Sequence, residues 1–177
     1  MKAIATAVII LAFASTAAPA QSPYSGMQTR PIKALSAQQI DDLKAGRGMG
    51  LALAAELNGY PGPSHVLELS EKLALSPAQK HRIQNLFESM KVESTPIGVR
   101  LIEQESALDR QFASRSITPD ALKEATTEIG MTQAELRNAH LKYHLETAQI
   151  LSPDQMKQYA DLRGYNSDAS ASHHRMH

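Results

Sequence analysis

Two histidines four residues apart are the side chains of this sequence best suited to chemistry. His140 and His144 fall in one helical segment, where residues at this spacing project from the same side with Cβ atoms about 5–6 Å apart. Two imidazoles so placed can bind one transition-metal ion. Antiparallel pairing of this segment with the preceding one would bring Met90 and Glu93 nearby and complete a site for Ni, Co, Cu or Zn. The alternative is a partly buried histidine pair that binds no metal.

A second set of metal-binding side chains lies near the end of the sequence. Residues 166–177 are rich in Ser and Ala, show no apolar periodicity and are predicted to be disordered. They include His173, His174 and His177, whose imidazoles could bind copper or nickel. The alternative is a polar terminus without a ligand.

No catalytic arrangement is recognisable around these residues. The segment from His140 to His144 lacks the glutamate that the HExxH motif of zinc proteases uses as a general base. The sequence contains no cysteine nucleophile and no Gly-x-Ser-x-Gly motif. The glycines at 46, 48 and 50 are followed by no Gly-Lys-Ser/Thr, so a flexible break is expected there rather than a phosphate loop. We therefore expect a protein that is not an enzyme and requires no cofactor.

The helices that position these side chains are marked by a repeated motif. Leu-Ser-x-x-Gln occurs at residues 35–39, 75–79 and 151–155, and the last two copies carry proline after the serine. Serine at an N-cap accepts a hydrogen bond from a backbone N–H, glutamine three residues later caps the N–H of the serine, and proline suits the first turn. Helices are therefore expected to begin at Ala37, Pro77 and Pro153.

Two long amphipathic helices are predicted from the spacing of apolar residues. Apolar side chains keep the helical period from residue 77 to about 114, although Pro96 predicts a kink or a short break. The sequence Thr118-Pro119-Asp120 starts a second such helix, which extends to about residue 150. The link of about four residues makes the two helices antiparallel. Shorter helices are expected at residues 37–44, 51–57, 64 to about 73, and 153–163. The predicted fold is all-α, a long antiparallel hairpin flanked by shorter helices, without disulfides.

The second long helix carries apolar residues on a further side. Leu141, Leu145 and Ala148 lie roughly 120–180° from its main apolar stripe. One hairpin cannot bury both sides, so either the flanking helices or a second subunit must cover these residues. If they stay exposed, they form a surface for clients or partners.

The first twenty residues have the pattern of a secretory signal peptide. Lys2 precedes an apolar run at residues 4–14, and small residues at 18 and 20 form a cleavage site. We therefore expect an exported protein that begins at Gln21 and is not embedded in a membrane. The chain has 18 basic and 18 acidic residues, a balance that argues against a nucleic-acid partner. The expected organisation is a signal peptide (1–20), a segment with short helices and a Gly-rich break (21–59), a hairpin domain (60–165) and a tail (166–177).

The paired motifs carry a resemblance to a known family. Leu75-Ser-Pro-Ala-Gln79 and Leu151-Ser-Pro-Asp-Gln155 resemble the twin LTxxQ motifs of the Spy/CpxP family, with Ser in place of the usual Thr; periplasmic metal sensors and resistance proteins of the CnrX type share this general plan. The resemblance covers residues 60–165, and Pro96 departs from it. By the capping argument, Ser76, Gln79, Ser152 and Gln155 are structural.

The resemblance implies a hooked or cradle-like, often dimeric, periplasmic protein. Its members bind unfolded clients or report envelope stress and metals to membrane partners. The function expected first is therefore an ATP-independent chaperone of the periplasm, which binds unfolded proteins on an amphiphilic helical surface. The alternative is a periplasmic heavy-metal sensor or buffer that uses His140 and His144.

Overall fold

The structure, a computed structural model, describes residues 23–165. This part of the chain contains six α-helices, one short 3-10 helix and no strand. The 3-10 helix is Met27–Thr29, and the α-helices are α1 (Ala37–Lys44), α2 (Leu53–Glu56), α3 (Pro63–Glu68), α4 (Pro77–Ala113), α5 (Pro119–Ala148) and α6 (Pro153–Arg163). Among residues 23–165, no helix is long and apolar enough to span a membrane.

Helices α4 and α5 form the predicted long hairpin. They are 37 and 30 residues long and pack along each other. Glu93 of α4 contacts Tyr143 of α5, and Arg100, farther along α4, contacts Glu135, which lies earlier in α5. This register is antiparallel. The prediction of an all-α fold with a long hairpin and shorter flanking helices is confirmed.

Helix α4 continues without interruption through Pro96, so the short break that this residue predicted is absent. A proline in a helix interior removes one hydrogen bond and costs about 3 kcal/mol or more. Helix α1 packs against this stretch of α4. A Cβ at Gly98 would lie only 2.5 Å from the carbonyl oxygen of Leu43, which shows how closely the end of α1 approaches α4.

Two hydrophobic clusters hold the flanking helices on the hairpin. The first lies where α1 and the segment before it pack on α4 and α5; its buried members are Ile32, Leu35, Leu43, Ile97, Leu101, Ile129, Leu136 and Ala139. The second lies where α3 and α6 meet the start of α4; its buried members are Val66, Leu73, Ile83, Ile150, Leu151 and Tyr159. Burial of a side chain of this size stabilises the fold by about 1.5–3 kcal/mol.

The three predicted helix starts at Ala37, Pro77 and Pro153 are confirmed. In each copy of the motif the serine Oγ accepts a hydrogen bond from the glutamine N–H, and the glutamine Oε1 accepts one from the serine N–H. Helices α2 and α3 are shorter than expected. Helix α3 was expected to reach about residue 73 but ends at Glu68, and turns follow it. Ala74, in these turns, lies in the left-handed region with φ of 47°.

Candidate functional site

A cavity of about 590 Å³ lies between the hairpin and the segment that precedes it. One wall is formed by the glycine-rich residues 45–50 together with α2 and the start of α3. The opposite wall is formed by α4 and α5, and the end of α6 closes one side. His140, His144 and Met90 all line this cavity. The structure therefore brings together three of the four residues that the sequence placed at a metal site.

The two histidines have the same hydrogen-bonding arrangement. His140 and His144 are 2% and 7% exposed. Nδ1 of His140 lies 2.9 Å from the carbonyl oxygen of Leu136, and Nδ1 of His144 lies 2.7 Å from that of Tyr60. A carbonyl oxygen only accepts hydrogen bonds, so Nδ1 carries the proton in both rings. When the rings are neutral, Nε2 therefore holds a lone pair that can bind a metal ion.

The Nε2 atom of His140 is buried without a hydrogen-bond partner among residues 23–165. Leaving such an atom unpaired costs about 1–3 kcal/mol, so buried polar atoms nearly always have a partner in the protein, in water or in a ligand. An unpaired nitrogen beside a cavity of this size is a position where a ligand can bind.

Two glycines let the backbone approach the histidine rings. A Cβ at Gly48 would lie 3.2 Å from Cδ2 of His140, and a Cβ at Gly62 would lie 2.8 Å from Cε1 of His144. Any larger residue at Gly62 would have to displace the ring. Residues 46–50 lie between α1 and α2, where the sequence predicts a break, and they also form a wall of the cavity.

Glu93, the fourth expected ligand, is engaged elsewhere and is not a lining residue of this cavity. The hydroxyl of Tyr143 donates to its Oε2 at 2.9 Å, and Nζ of Lys142 lies 2.5 Å from the same atom. Burial alone would raise the pKa of Glu93, but the hydrogen bonds from Lys142 and Tyr143 and the charge of Lys142 outweigh it and lower the pKa. Burial and Glu93 raise the pKa of Tyr143 to about 12. Glu93 therefore pairs with Lys142 and Tyr143 of α5 and does not line the cavity.

Glu56 is a buried carboxylate that the sequence analysis missed. Its Oε1 accepts hydrogen bonds from the hydroxyls of Tyr159 and Tyr165, the latter at 3.0 Å, and its Oε2 accepts one from the N–H of Gly62 at 3.1 Å. Burial and the contact with Glu56 strongly raise the pKa of Tyr159, so this hydroxyl stays a donor. Because these donors engage both oxygens, Glu56 serves to join α2 to α6.

Glu56 also lies behind one of the histidines. Its Oε2 is 3.7 Å from Nδ1 of His144, on the same nitrogen that donates to Tyr60. A carboxylate or carbonyl beside one nitrogen of an imidazole fixes the tautomer and the orientation of the ring. A third imidazole, His65, lines the same cavity, with Nδ1 3.5 Å from Oε2 of Glu68.

The described residues do not complete a metal site by themselves. Within residues 23–165, no group of three or more His, Cys, Asp or Glu side chains is arranged to bind a metal ion. The side chains lining the cavity that have donor atoms for a metal ion are the imidazoles of His65, His140 and His144, the carboxylates of Glu56 and Glu68, and the thioether of Met90. His173, His174 and His177, the other proposed ligands, lie outside the described residues, as does the predicted signal peptide at residues 1–20.

The glutamines of the two LSPxQ motifs contact each other. Gln79 Nε2 donates to Gln155 Oε1 at 2.8 Å, and Gln155 Nε2 lies 3.2 Å from Gln79 Oε1. Gln79 also donates to the carbonyl oxygen of Ile150, and Gln155 donates to that of Leu73. The motif residues therefore join the starts of α4 and α6 in addition to capping them.

The expected client or partner surface is only partly covered. Leu145 is 51% exposed, whereas Leu141 and Ala148 are half-buried. The flanking helices therefore leave apolar area open on this side of α5.

Comparison with known proteins gives no match: no protein-family model, no curated protein and no solved structure matches this chain. The resemblance to the Spy/CpxP family stays a prediction from the two LSPxQ motifs.

Proposed function

We propose that this protein is a non-enzymatic metal-binding protein, a sensor or buffer for a divalent transition metal, that works after export to the periplasm. The observation that carries this proposal is the shared arrangement of His140 and His144: in both, Nδ1 donates to a backbone carbonyl and leaves Nε2 as the lone-pair atom. Export is proposed from the signal-peptide pattern of residues 1–20.

The imidazole and thioether side chains of this cavity favour transition-metal ions of intermediate softness. Imidazole suits Zn, Cu and Ni, and the thioether of Met90 favours copper among them. Met90 is buried and lines the cavity with both histidines. Because α4, α5 and the preceding segment all contribute walls, a bound ion would stabilise the packing of that segment on the hairpin. In a sensor, metal binding would in this way change how firmly the segment before α4 packs on the hairpin.

Isothermal titration calorimetry with Ni, Co, Cu and Zn tests the proposal. The protein is expected to bind at least one of these ions, and the double variant His140→Ala/His144→Ala is expected to lose that binding. His81→Ala is a matched control, because His81 is an exposed histidine of α4 that lies outside the cavity. A variant that lacks residues 166–177 separates binding at the cavity from binding by the tail histidines. Absence of heat with all four ions contradicts the proposal.

A second candidate function is the binding of unfolded clients without ATP. The observation that favours it is the exposure of large apolar side chains along the hairpin: Val92 is 76% exposed, Met131 69% and Leu145 51%. Exposed apolar side chains bind other proteins when they form a contiguous patch. The test is suppression of aggregation of an unfolded client by protein treated with a chelator. Activity that persists without metal and is weakened by Leu145→Ser supports this function, and no suppression contradicts it.

A further inference from the structure

The chain contains a single Asn-Gly pair, Asn58-Gly59, which lies in the turn between α2 and α3. The other asparagines, at positions 85, 138 and 166, are followed by Leu, Ala and Ser. Asparagine is a chemically labile residue, because the backbone nitrogen of the next residue can attack its side-chain amide. Glycine in that next position places no Cβ beside the attacking nitrogen. The sequence therefore marks Asn58 as the asparagine most open to this reaction.

The structure leaves the attacking nitrogen without a hydrogen bond to the protein. Asn58 and Gly59 are both exposed, and a Cβ at Gly59 would meet no atom within 4 Å. The backbone N–H groups of Asn58 and Tyr60 both donate to the carbonyl oxygen of Ala55, at 3.1 and 3.0 Å. Within residues 23–165, no backbone carbonyl accepts from the N–H of Gly59 between them. The proton of this nitrogen can therefore be lost to solvent without breaking a hydrogen bond of the turn.

Two other exposed asparagines lack this freedom. Asn85 lies inside α4 and Asn138 inside α5, and the residues after them, Leu86 and Ala139, are helical as well. A backbone N–H in the interior of an α-helix donates to the carbonyl four residues earlier. Attack at either position therefore first requires the helix to open locally.

We propose that Asn58 is a modification site at which the protein converts without an enzyme to isoaspartate. The backbone nitrogen of Gly59 loses its proton and attacks Cγ of Asn58; the N–Cγ bond forms, the Cγ–Nδ2 bond breaks, and Nδ2 leaves with a proton as ammonia. Water then opens the resulting succinimide at one of its two carbonyl carbons. Addition at Cγ gives aspartate, whereas addition at the main-chain carbon breaks its bond to Gly59 and gives isoaspartate.

Isoaspartate changes the loop that orients His144. Its main chain runs through Cβ and Cγ and is therefore one atom longer, and it carries a free carboxylate. The loop is closed by the N–H of Gly62, which donates to Oε2 of Glu56 at 3.1 Å, and inside it the carbonyl oxygen of Tyr60 accepts from Nδ1 of His144 at 2.7 Å. An extra atom at residue 58 must shift Tyr60 or break the closure. The conversion thus weakens the hydrogen bond that orients His144.

Peptide mapping by mass spectrometry tests the reaction in the full chain, purified and stored in warm, mildly alkaline buffer. The peptide with Asn58 is expected to exchange NH2 for OH and to separate into two products. Its rate should exceed that of the peptides with Asn85 and Asn138 at least about tenfold, as a helix-opening cost of about 1.4 kcal/mol or more predicts. Asn58→Gln is the control, because its longer side chain cannot close the five-membered ring. Equal rates at the three asparagines, or no change at Asn58, overturn the inference.

Proton NMR of the imidazole N–H groups tests the consequence for His144. The isoaspartyl form, isolated by ion-exchange chromatography, is expected to exchange the Nδ1 proton of His144 with solvent faster than the unmodified protein does. Asn58→Asp is the matched control, because it adds the same charge without lengthening the main chain, and it should leave this exchange unchanged. Equal exchange in all three forms overturns the consequence for His144. Neither measurement involves a metal ion, so failure here is distinct from failure of the proposed function.

Discussion

Gln79 and Gln155 exchange hydrogen bonds between their side-chain amides although 76 residues separate them in sequence. Each glutamine also caps the serine of its own motif. The same two side chains therefore start α4 and α6 and hold those starts together. This double role ties α6, whose last residue Arg163 lines the cavity, to the hairpin.

Replacing Gln79 should destabilise the protein more than replacing the equivalent residue of the first motif. Gln79→Ala removes the cap and leaves the amide of Gln155 with fewer partners, so a loss of about 1–3 kcal/mol in the free energy of unfolding is expected. Gln39→Ala is the control. Gln39 caps Ser36 in the same way, but within residues 23–165 its side chain has no distant amide partner like Gln155. Its expected cost is below about 1 kcal/mol. Urea denaturation measures both, and equal losses would show that the amide pair contributes nothing.

Gly62→Ala should weaken metal binding without straining the backbone. Gly62 has φ of −81° and ψ of 148°, which alanine adopts freely, so the effect comes from the Cβ that would lie 2.8 Å from Cε1 of His144. Displacement of this ring is expected to lower metal affinity about 10–100-fold, the range typical of residues that orient metal ligands. Calorimetry measures the affinity.

The matched control for this change is Gly130→Ala. A Cβ at Gly130 would meet no atom within 4 Å, and Gly130 lies in the interior of α5. Alanine there should leave metal affinity unchanged and stabilise the helix by about 0.5–1 kcal/mol. An unchanged affinity in Gly62→Ala would mean that the ring position of His144 does not matter for binding.

Much of the architecture follows from local sequence chemistry, whereas the site depends on contacts that sequence does not reveal. The helix starts at Ala37, Pro77 and Pro153 were predictable because a capping box involves only neighbouring residues. The pairing of His140 with His144 was predictable from helical spacing.

Glu56 was not predictable, because its tyrosine partners lie 103 and 109 residues away and nothing in a four-residue helix marks a buried carboxylate. The same holds for Gly62 and His144: a glycine in sequence does not show which ring its backbone will approach. The contacts of Glu93 with Tyr143 and Lys142 were not predictable either, because facing positions on two helices do not fix the direction of side chains. Distant partners therefore account for what the sequence analysis missed.

Glu105→Gln should stabilise the protein at neutral pH and not at acidic pH. Burial raises the pKa of Glu105 in the folded protein above the ordinary value of a glutamate. The folded state therefore holds this proton more tightly than the unfolded state, and the stability this contributes is present below the unfolded pKa and lost as pH rises through the folded pKa. Replacing the carboxylate by a neutral amide removes that loss.

Urea denaturation at about pH 7 and about pH 4 measures this effect. The variant is expected to exceed the parent protein in free energy of unfolding at the higher pH and to approach it at the lower pH. Glu103→Gln is the control, because Glu103 is an exposed residue of the same helix. A gain that is the same at both pH values would show that the charge of Glu105 is not its cause.

The Nε2 atoms of His140 and His144 are the proposed ligands of the metal ion. The most direct measurement is ¹⁵N NMR of the imidazole nitrogens during titration with Zn²⁺, with each histidine assigned by its alanine variant. The expected result is a shift of Nε2 in both rings, while both Nδ1 atoms keep the protons that they donate to Leu136 and Tyr60. Unchanged nitrogens in these two rings, with shifts confined to other histidines, would contradict the claim.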